Sequence, residues 1–468
     1  MTTDDFEAER IASIDLPSNQ LAAVEVGAAQ IAEAVVGSDD STPDNLAPFG
    51  KGYLWALYIG WFAIYIAFVT PIAFSLAIRV EQVAPDAKDS ALALAAGIPG
   101  IFAIVLTPLI GALSDRTRSR LGRRRPWMIA GLTLGLVGSL AVGLAPNASI
   151  VVVGWTLAYV GYTAASSMTL AHLGDKLPEN QRGKVLGITG AISQMAPLAG
   201  VLVGGALSSN GLAMFAIPAI LAFLGSIVFL VRMKDDARTE KPVVTSKAVE
   251  ARKLLVGMVF NPRRYPNLGW VWLSKALIFF ALSFSSLYTV YFIASRFGLE
   301  PLEVAGMLGI AGILGVGAGV GGAIGSGILS DKFGTRKPFL IAAAFIMAGG
   351  LVVTALSTSI PMFLIGNAIS ALATGVYGAV DQALALDVLP REEDENGRFL
   401  GILQLGSTVP QAFGPLVAGL ILATFGGEYA SVYFGGAILA ILGAIAIIPI
   451  TVGRRAELPT TSLQVPTK

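Results

Sequence analysis

The sequence predicts an all-α membrane protein of twelve transmembrane helices in two six-helix bundles. Three observations carry that prediction. Of 468 residues, 54% are apolar and only 13% charged, with a mean hydropathy of +0.71; a soluble domain carries about 25% charged residues. The apolar residues fall into twelve runs of about twenty, the length that crosses a bilayer as a helix. Two loop patterns also recur at nearly one spacing. Residues 111–127 read GALSDRTRSRLGRRRPW and residues 325–339 read GSGILSDKFGTRKPF, so that Asp331 follows Asp115 by 216 positions. Residues 175–187, DKLPENQRGKVLG, and 387–401, DVLPREEDENGRFLG, repeat 212 positions apart. Each half thus holds six helices running in the same direction, the arrangement of parallel transporter repeats.

The elements follow in order. Residues 1–50 carry ten acidic residues against one Arg, with no spanning run, and read as a polar tail. They lack the basic start and apolar core of a signal peptide. The first bundle, 51–232, holds helices at 53–78, 91–113, 127–145, 150–173, 185–208 and 212–232. A polar connector occupies 233–266. The second bundle, 267–451, holds helices at 267–294, 303–329, 338–357, 360–386, 399–424 and 429–451. Residues 452–468 form a second polar tail. Pro71, Pro99, Pro108, Pro197, Pro410 and Pro415 lie inside apolar runs, where each removes a backbone donor and favours a kink. The run 305–331 holds ten Gly. Such small residues allow helices to approach closely in lipid, either as fixed packing or as a sliding contact between the halves.

Charge sets the orientation. Six Arg lie between Gly111 and Trp127 (Arg116, Arg118, Arg120, Arg123, Arg124, Arg125). With this loop on the cytoplasmic side, 28 of the 32 Lys and Arg fall on that side, as the positive-inside rule requires. Both termini are then cytoplasmic, and the expected location is the cell membrane.

Composition also excludes classes. Net charge is +1, which gives no footing for a nucleic-acid partner. The absence of Cys excludes disulfides and thiolate metal sites, and the single His172 cannot build a His-rich one. No Gly-x-x-x-x-Gly-Lys-Ser/Thr loop is present, so direct drive by ATP is not indicated. No enzyme activity, metal or cofactor is expected. No oligomer seam is evident, so a monomer in the lipid bilayer is expected.

The loop after helix two resembles that of the major facilitator superfamily: Gly111, Asp115, Arg116, Gly122, Arg123 and Arg124 match its Gly…Asp-Arg…Gly-Arg-Arg pattern. The longer form SDRTRSRLGRRRPW is similar to the sucrose-transporter and glycoside–pentoside–hexuronide cation symporter branches. The sodium-coupled members of the latter bind their cation through acidic residues in helix two, and residues 91–113 here contain none. The resemblance implies the major facilitator fold and alternating access. It implies a gating role for Asp115, Arg116 and Arg123, repeated by Asp331 and Lys332 in the second half. The other reading of these loops is topology and binding to anionic lipid heads alone.

Ionisable residues inside a span are costly and point to function. Lys275 lies eight residues into helix seven, roughly 12 Å deep, and Asp381 six residues before the end of helix ten, roughly 9 Å deep. A neutralising pair is expected; the alternative is that Lys275 snorkels to the interface. His172, near the end of helix four, has the side chain best suited to proton transfer near neutrality and is a second candidate for coupling beside Asp381. The resemblance implies that helices one, four, seven and ten line a central cavity. Candidate solute ligands there are Trp61, Tyr65, Thr70, Tyr159, Tyr162, Ser166, Ser283, Ser286, Tyr288, Asn367, Thr374 and Tyr377, with Lys275 and Asp381. Arg79 and Glu81 read as interfacial anchors. The expected function is a secondary active transporter that takes up a sugar or related small polar organic solute with protons. Two alternatives stand beside it: a proton-driven exporter of amphiphilic compounds and a non-transporting membrane sensor.

Overall fold

The structure, a computed structural model, describes residues 48–233, 262–387 and 396–450. The two expected polar tails, most of the connector and the charged loop at 388–395 lie outside them. Among the described residues, twelve helices are long and apolar enough to cross a membrane. In the first half they are α1 (Lys51–Val83), α2 (Lys88–Arg116), α3 (Arg125–Gly143), α4 (Ala148–Lys176), α5 (Glu179–Ala206) and α6 (Gly211–Arg232). In the second they are α7 (Pro266–Leu287, continued by Thr289–Phe297), α8 (Pro301–Phe333), α9 (Lys337–Ala355), α10 (Ile360–Asp387), α11 (Asn396–Thr424) and α12 (Ala430–Ile447). Local chemistry marks the ends. The Asn147 and Asn210 side chains accept from the backbone N–H of Ile150 and Ala213, capping α4 and α6. Gly298 ends α7 with φ +63°, a left-handed cap that glycine adopts without a Cβ penalty.

Neither α1 nor α7 is continuous. In α1 the α-helix stops at Thr70, runs through a π-turn at Pro71–Ser75 and resumes at Leu76. Pro71 lacks the N–H that a regular helix needs there. In α7 the break falls at Tyr288, 217 positions later and without a proline. The single helix expected over 267–294 is therefore two segments.

The duplication read from the loops extends to the packing. In the first half α3 packs on α4 and α6, α1 on α5 and α6, and α2 on α4. Each pairing recurs six helices later: α9 on α10 and α12, α7 on α11 and α12, and α8 on α10. The close contacts repeat as well. A Cβ on Gly138 would lie 2.4 Å from the Ala158 nitrogen across α3–α4, and one on Gly350 would lie 2.4 Å from Ser370 Oγ across α9–α10. Arg79 donates to the carbonyls of Val142 and Ala145 at the end of α3, and Arg296 to the carbonyl of Ser357 after α9. Both arginines donate to carbonyls at or just beyond a helix end, where acceptors are left over.

The halves meet along α2–α11 and α5–α8. Gly97 and Gly100 of α2 face Leu416 and Ala412 of α11; Gly205 of α5 faces Ala305, and Gly309 and Gly312 of α8 face Leu202 and Leu198. All these residues lie in the halves of their helices remote from the Arg-rich loop. Toward the loop, a Cβ on Gly111, Gly183, Gly187, Gly317, Gly321, Gly325 or Gly327 would meet nothing within 4 Å. The ten glycines of 305–331 therefore do not form one sliding surface. Gly309 and Gly312 meet the other half, whereas Gly315, Gly319 and Gly322 pack on α10. Among the described residues, the close contacts of α2 with α11 and of α5 with α8 lie at the end opposite the Arg-rich loop, here the far end.

Candidate functional site

Lys275 and Asp381 form an ion pair between α7 and α10, with Nζ 3.0 Å from Oδ2 and side-chain exposures of 11% and 6%. Lys275 does not snorkel away. Around the pair, Ser274 Oγ donates to the Gly443 carbonyl of α12 at 3.0 Å. Tyr377, one turn before Asp381, lies buried with its hydroxyl 3.5 Å from Ser274 Oγ. On α11, Gly406 leaves room for the lysine stem: a Cβ there would lie 3.5 Å from Lys275 Cδ. Either charge alone would be uncompensated in a poorly solvated place, and the pair removes that cost. It also makes the surroundings of each partner depend on the position of the other.

The other cavity candidates divide. Tyr65 and Tyr159 are half-buried; Tyr65 packs on Trp61 at 5.0 Å between centroids and Tyr159 edge-on to Phe68 at 5.0 Å. Ser166 Oγ is buried with no hydrogen-bond partner, as is Thr70 Oγ1, which faces Gly200 of α5. Ser286 is exposed, its hydroxyl donating to the Ser283 carbonyl. Thr374 spends its hydroxyl on the Ser370 carbonyl of its own helix, and Asn367 faces Gly315 of α8. Three aromatic residues are not brought to a cavity. Trp61 is buried between α1 and α5, its indole N–H donating to the Thr189 carbonyl and Ser193 Oγ. Tyr162 is buried against α3, its hydroxyl 3.0 Å from Ser139 Oγ and its ring over Gly135. Tyr288 sits at the far-end seal described below. Each has a polar tip that finds a fixed protein partner, as buried Tyr and Trp do.

His172 is buried in the first half, with Nε2 2.8 Å from the Tyr53 hydroxyl and its ring edge-on to Phe229. The structure does not bring it to Asp381. Among the described residues no group of His, Cys, Asp or Glu is placed to hold a metal ion.

At the loop end, Asp115 joins a charge cluster that ties α2, α3 and α4 together. Arg124 Nη2 is 2.8 Å from Asp115 Oδ1, and its Nε is 3.3 Å from Asp175 Oδ2. Arg123 reaches Asp175 at 2.5 Å and Asp115 at 3.6 Å. Arg116 ends α2. Sequence reasoning points to Asp115 and Arg123 but not to Arg124, the most buried charge of the cluster, nor to Asp175 as the second acceptor. In the second half Lys332 is exposed, and the side chain of Asp331 lies outside the described residues. Arg336 donates to the Ala383 carbonyl and Lys337 to those of Ile448 and Ile450. Every one of these loop-end contacts stays within a single half.

At the far end polar contacts cross between the halves. Tyr429 donates to Asp89 Oδ1 at 2.9 Å, Tyr288 to the Asp89 carbonyl at 2.9 Å, and Tyr291 to the Ala77 carbonyl at 2.7 Å. Lys88 pairs with Glu81 and lies 4.7 Å from the Tyr291 ring centroid. Glu81 is thus part of a network and not a lone interfacial anchor.

Comparison with known proteins agrees with this architecture. A family model described as Major Facilitator Superfamily matches residues 53–326 and 316–466. Relatives of similar sequence include an uncharacterized MFS-type transporter, YfiU, of Bacillus subtilis (36% identical over 20% of this chain and 18% of the relative). The general alpha-glucoside permease of Schizosaccharomyces pombe is 34% identical over 20% of this chain and 15% of the relative. The multidrug resistance protein Stp of Mycobacterium tuberculosis is 29% identical over 28% and 25%. The matches thus span a quarter or less of these relatives. Solved structures share the fold: the nucleoside transporter NupG, with a TM-score of 0.67 and 13% identity over 85% of this chain and 99% of that one, and a bacterial homolog of the human lysosomal transporter Spinster, with a TM-score of 0.62 and 16% identity over 86% and 96%. With the family match spanning both halves and twelve helices long and apolar enough to cross a membrane among the described residues, the chain belongs to the major facilitator superfamily and is a multi-pass membrane protein.

Proposed function

We propose that the protein takes up a sugar or related small polar organic solute together with protons, by alternating access, with both termini in the cytoplasm of the cell. The observation that carries the coupling is the buried Lys275–Asp381 pair. Asp381 is the residue that carries the coupled proton in this reading, and its ion pair with Lys275 ties its charge to the packing of α7 on α10. Both helices belong to the second half, so the movement that separates the pair comes from within that half, where α7 is interrupted at Tyr288. Asp115, Arg123 and Arg124 stabilise the loop end of the first half between its open and closed arrangements. In this orientation the far end, where the halves make their close contacts, faces outside, which supports reading the arrangement as inward-facing.

The sugar reading is supported by the longer Arg-rich loop and by the likeness to a permease named for alpha-glucosides. The likeness to a multidrug resistance protein favours the second reading, proton-driven export of amphiphilic compounds. A thermal-shift screen on the purified protein separates them. Stabilisation by a sugar, with none by amphiphiles at matched concentration, is the expected result. Stabilisation by amphiphiles alone assigns the protein to export.

A further inference from the structure

The far end holds a latch that the transport cycle must open. Its first component is Asp89, in the first turn of α2. Its carboxylate and its carbonyl each accept a hydrogen bond from the opposite half, from Tyr429 and Tyr288. Its second is Tyr291, which reaches the Ala77 carbonyl in the outer segment of α1 while Lys88 covers its ring. The three tyrosine rings form a triangle with centroids 6.0–6.5 Å apart, so the rings pack on one another. Tyr429 follows a glycine turn. Gly426 and Gly427 have φ of +68° and +83°, and the Gly427 N–H donates to the Leu422 carbonyl. Two successive left-handed residues end α11 abruptly and send the chain back over Asp89.

We propose that Asp89, Tyr288, Tyr291 and Tyr429 are the gate of the far end: their hydrogen bonds hold it closed in the absence of solute and must break before the solute path opens to that side. Two features separate this from ordinary packing. The bonds cross between the halves, and they converge on one residue, Asp89, whose carboxylate and carbonyl both accept from the opposite half. The elements that carry Tyr291 and Ala77 also lie beyond the breaks in α7 and α1, with Tyr288 at the break itself, so they turn as short segments without moving the full helices. A contact that exists in one of two states biases their equilibrium by its own strength. The proposal rests on the alternating-access reading, but not on the Lys275–Asp381 pair or on any solute.

The test is a single cysteine at Ser286. Ser286 follows Lys275 by eleven residues, three helical turns, so it lies on the same face of α7, between the ion pair and the latch, and it is exposed. The chain has no native Cys. Ser286→Cys is labelled with a membrane-impermeant maleimide from each face of sealed vesicles, with Ser119→Cys marking the Arg-rich face. In the parent, labelling is expected from the Arg-rich face. Tyr429→Phe, which deletes the donor, and Asp89→Ala, which deletes the acceptor, should raise the rate from the opposite face about tenfold, the effect of losing one hydrogen bond to a charged acceptor. Tyr433→Phe loses a bond of 3.1 Å to Thr289 inside one half and should leave the rates unchanged. Opposite-face labelling of Tyr429→Phe within twofold of the Tyr433→Phe rate overturns the latch. Because no solute or proton gradient enters the measurement, that failure is distinct from failure of the coupling site.

Discussion

Replacing Arg124 with alanine removes the common partner of two carboxylates. Its side chain is 8% exposed, against 52% for Asp115 and 25% for Asp175. The contact to Asp115 is half solvated, and such pairs contribute about 0.5 kcal/mol. The contact to Asp175 is drier; hydrogen bonds to charged groups contribute about 1.5–3 kcal/mol, and the lower value applies because Arg123 still reaches Asp175. The expected loss is therefore about 2 kcal/mol. For a six-helix half of roughly 200 residues this corresponds to a fall in Tm of about 4–8 °C. The assay is thermal unfolding of the purified protein in one detergent, with exposed Arg120→Ala as the comparison for loss of charge alone. Arg124→Lys keeps the charge but not the planar fork and should recover less than half. If Arg124→Ala unfolds within about 1 °C of Arg120→Ala, the cluster does not hold α2, α3 and α4 together and reverts to a topology signal.

Other consequences are equally direct. Asp115→Asn should slow transport while leaving solute affinity within about threefold, since Asp115 lies at the loop end and far from the α7–α10 pair; flux and binding measured together check this, and normal turnover would refute a gating role. Single cysteines at Ser119 and Thr335 should be labelled only from the cytoplasm and one at Thr358 only from outside; the reverse pattern overturns the orientation. Gly138→Ala and Gly350→Ala place a Cβ at 2.4 Å from atoms of the facing helix and should each lower stability by about 1–3 kcal/mol, read as Tm, whereas Gly317→Ala, with nothing within 4 Å, should not.

What was legible in the sequence follows from what a bilayer penalises. A buried charge is costly in lipid, so Lys275 and Asp381 stood out, and their depth along two helices was enough to pair them. The repeat was legible because loops carry charge and Pro at fixed offsets, and the packing follows that repeat helix by helix. Which way an aromatic side chain points was not legible. In a spanning helix the lipid face and the core face are both apolar, so periodicity does not distinguish them, and Trp61 and Tyr162 turned out to face α5 and α3. The break of α1 has Pro71 as its signal; the matching break of α7 at Tyr288 has no such residue and comes from tertiary packing. The latch was invisible for a related reason: Tyr429 and Asp89 are 340 positions apart, and only the approach of the two halves brings them together.

The account turns on the Lys275–Asp381 pair as the coupling site. Removing one partner leaves an uncompensated buried charge, a loss of roughly 3–5 kcal/mol, so Lys275→Ala and Asp381→Ala should each express poorly. The double variant leaves no charge and should fold. The decisive measurement is solute counterflow beside pH-driven uptake in proteoliposomes, with a sugar selected by the thermal screen. The double variant is predicted to exchange solute at close to the parent rate while ignoring a pH gradient. Undiminished pH-driven uptake by the double variant would contradict the account and place the coupling proton elsewhere, with His172 the next side chain to test.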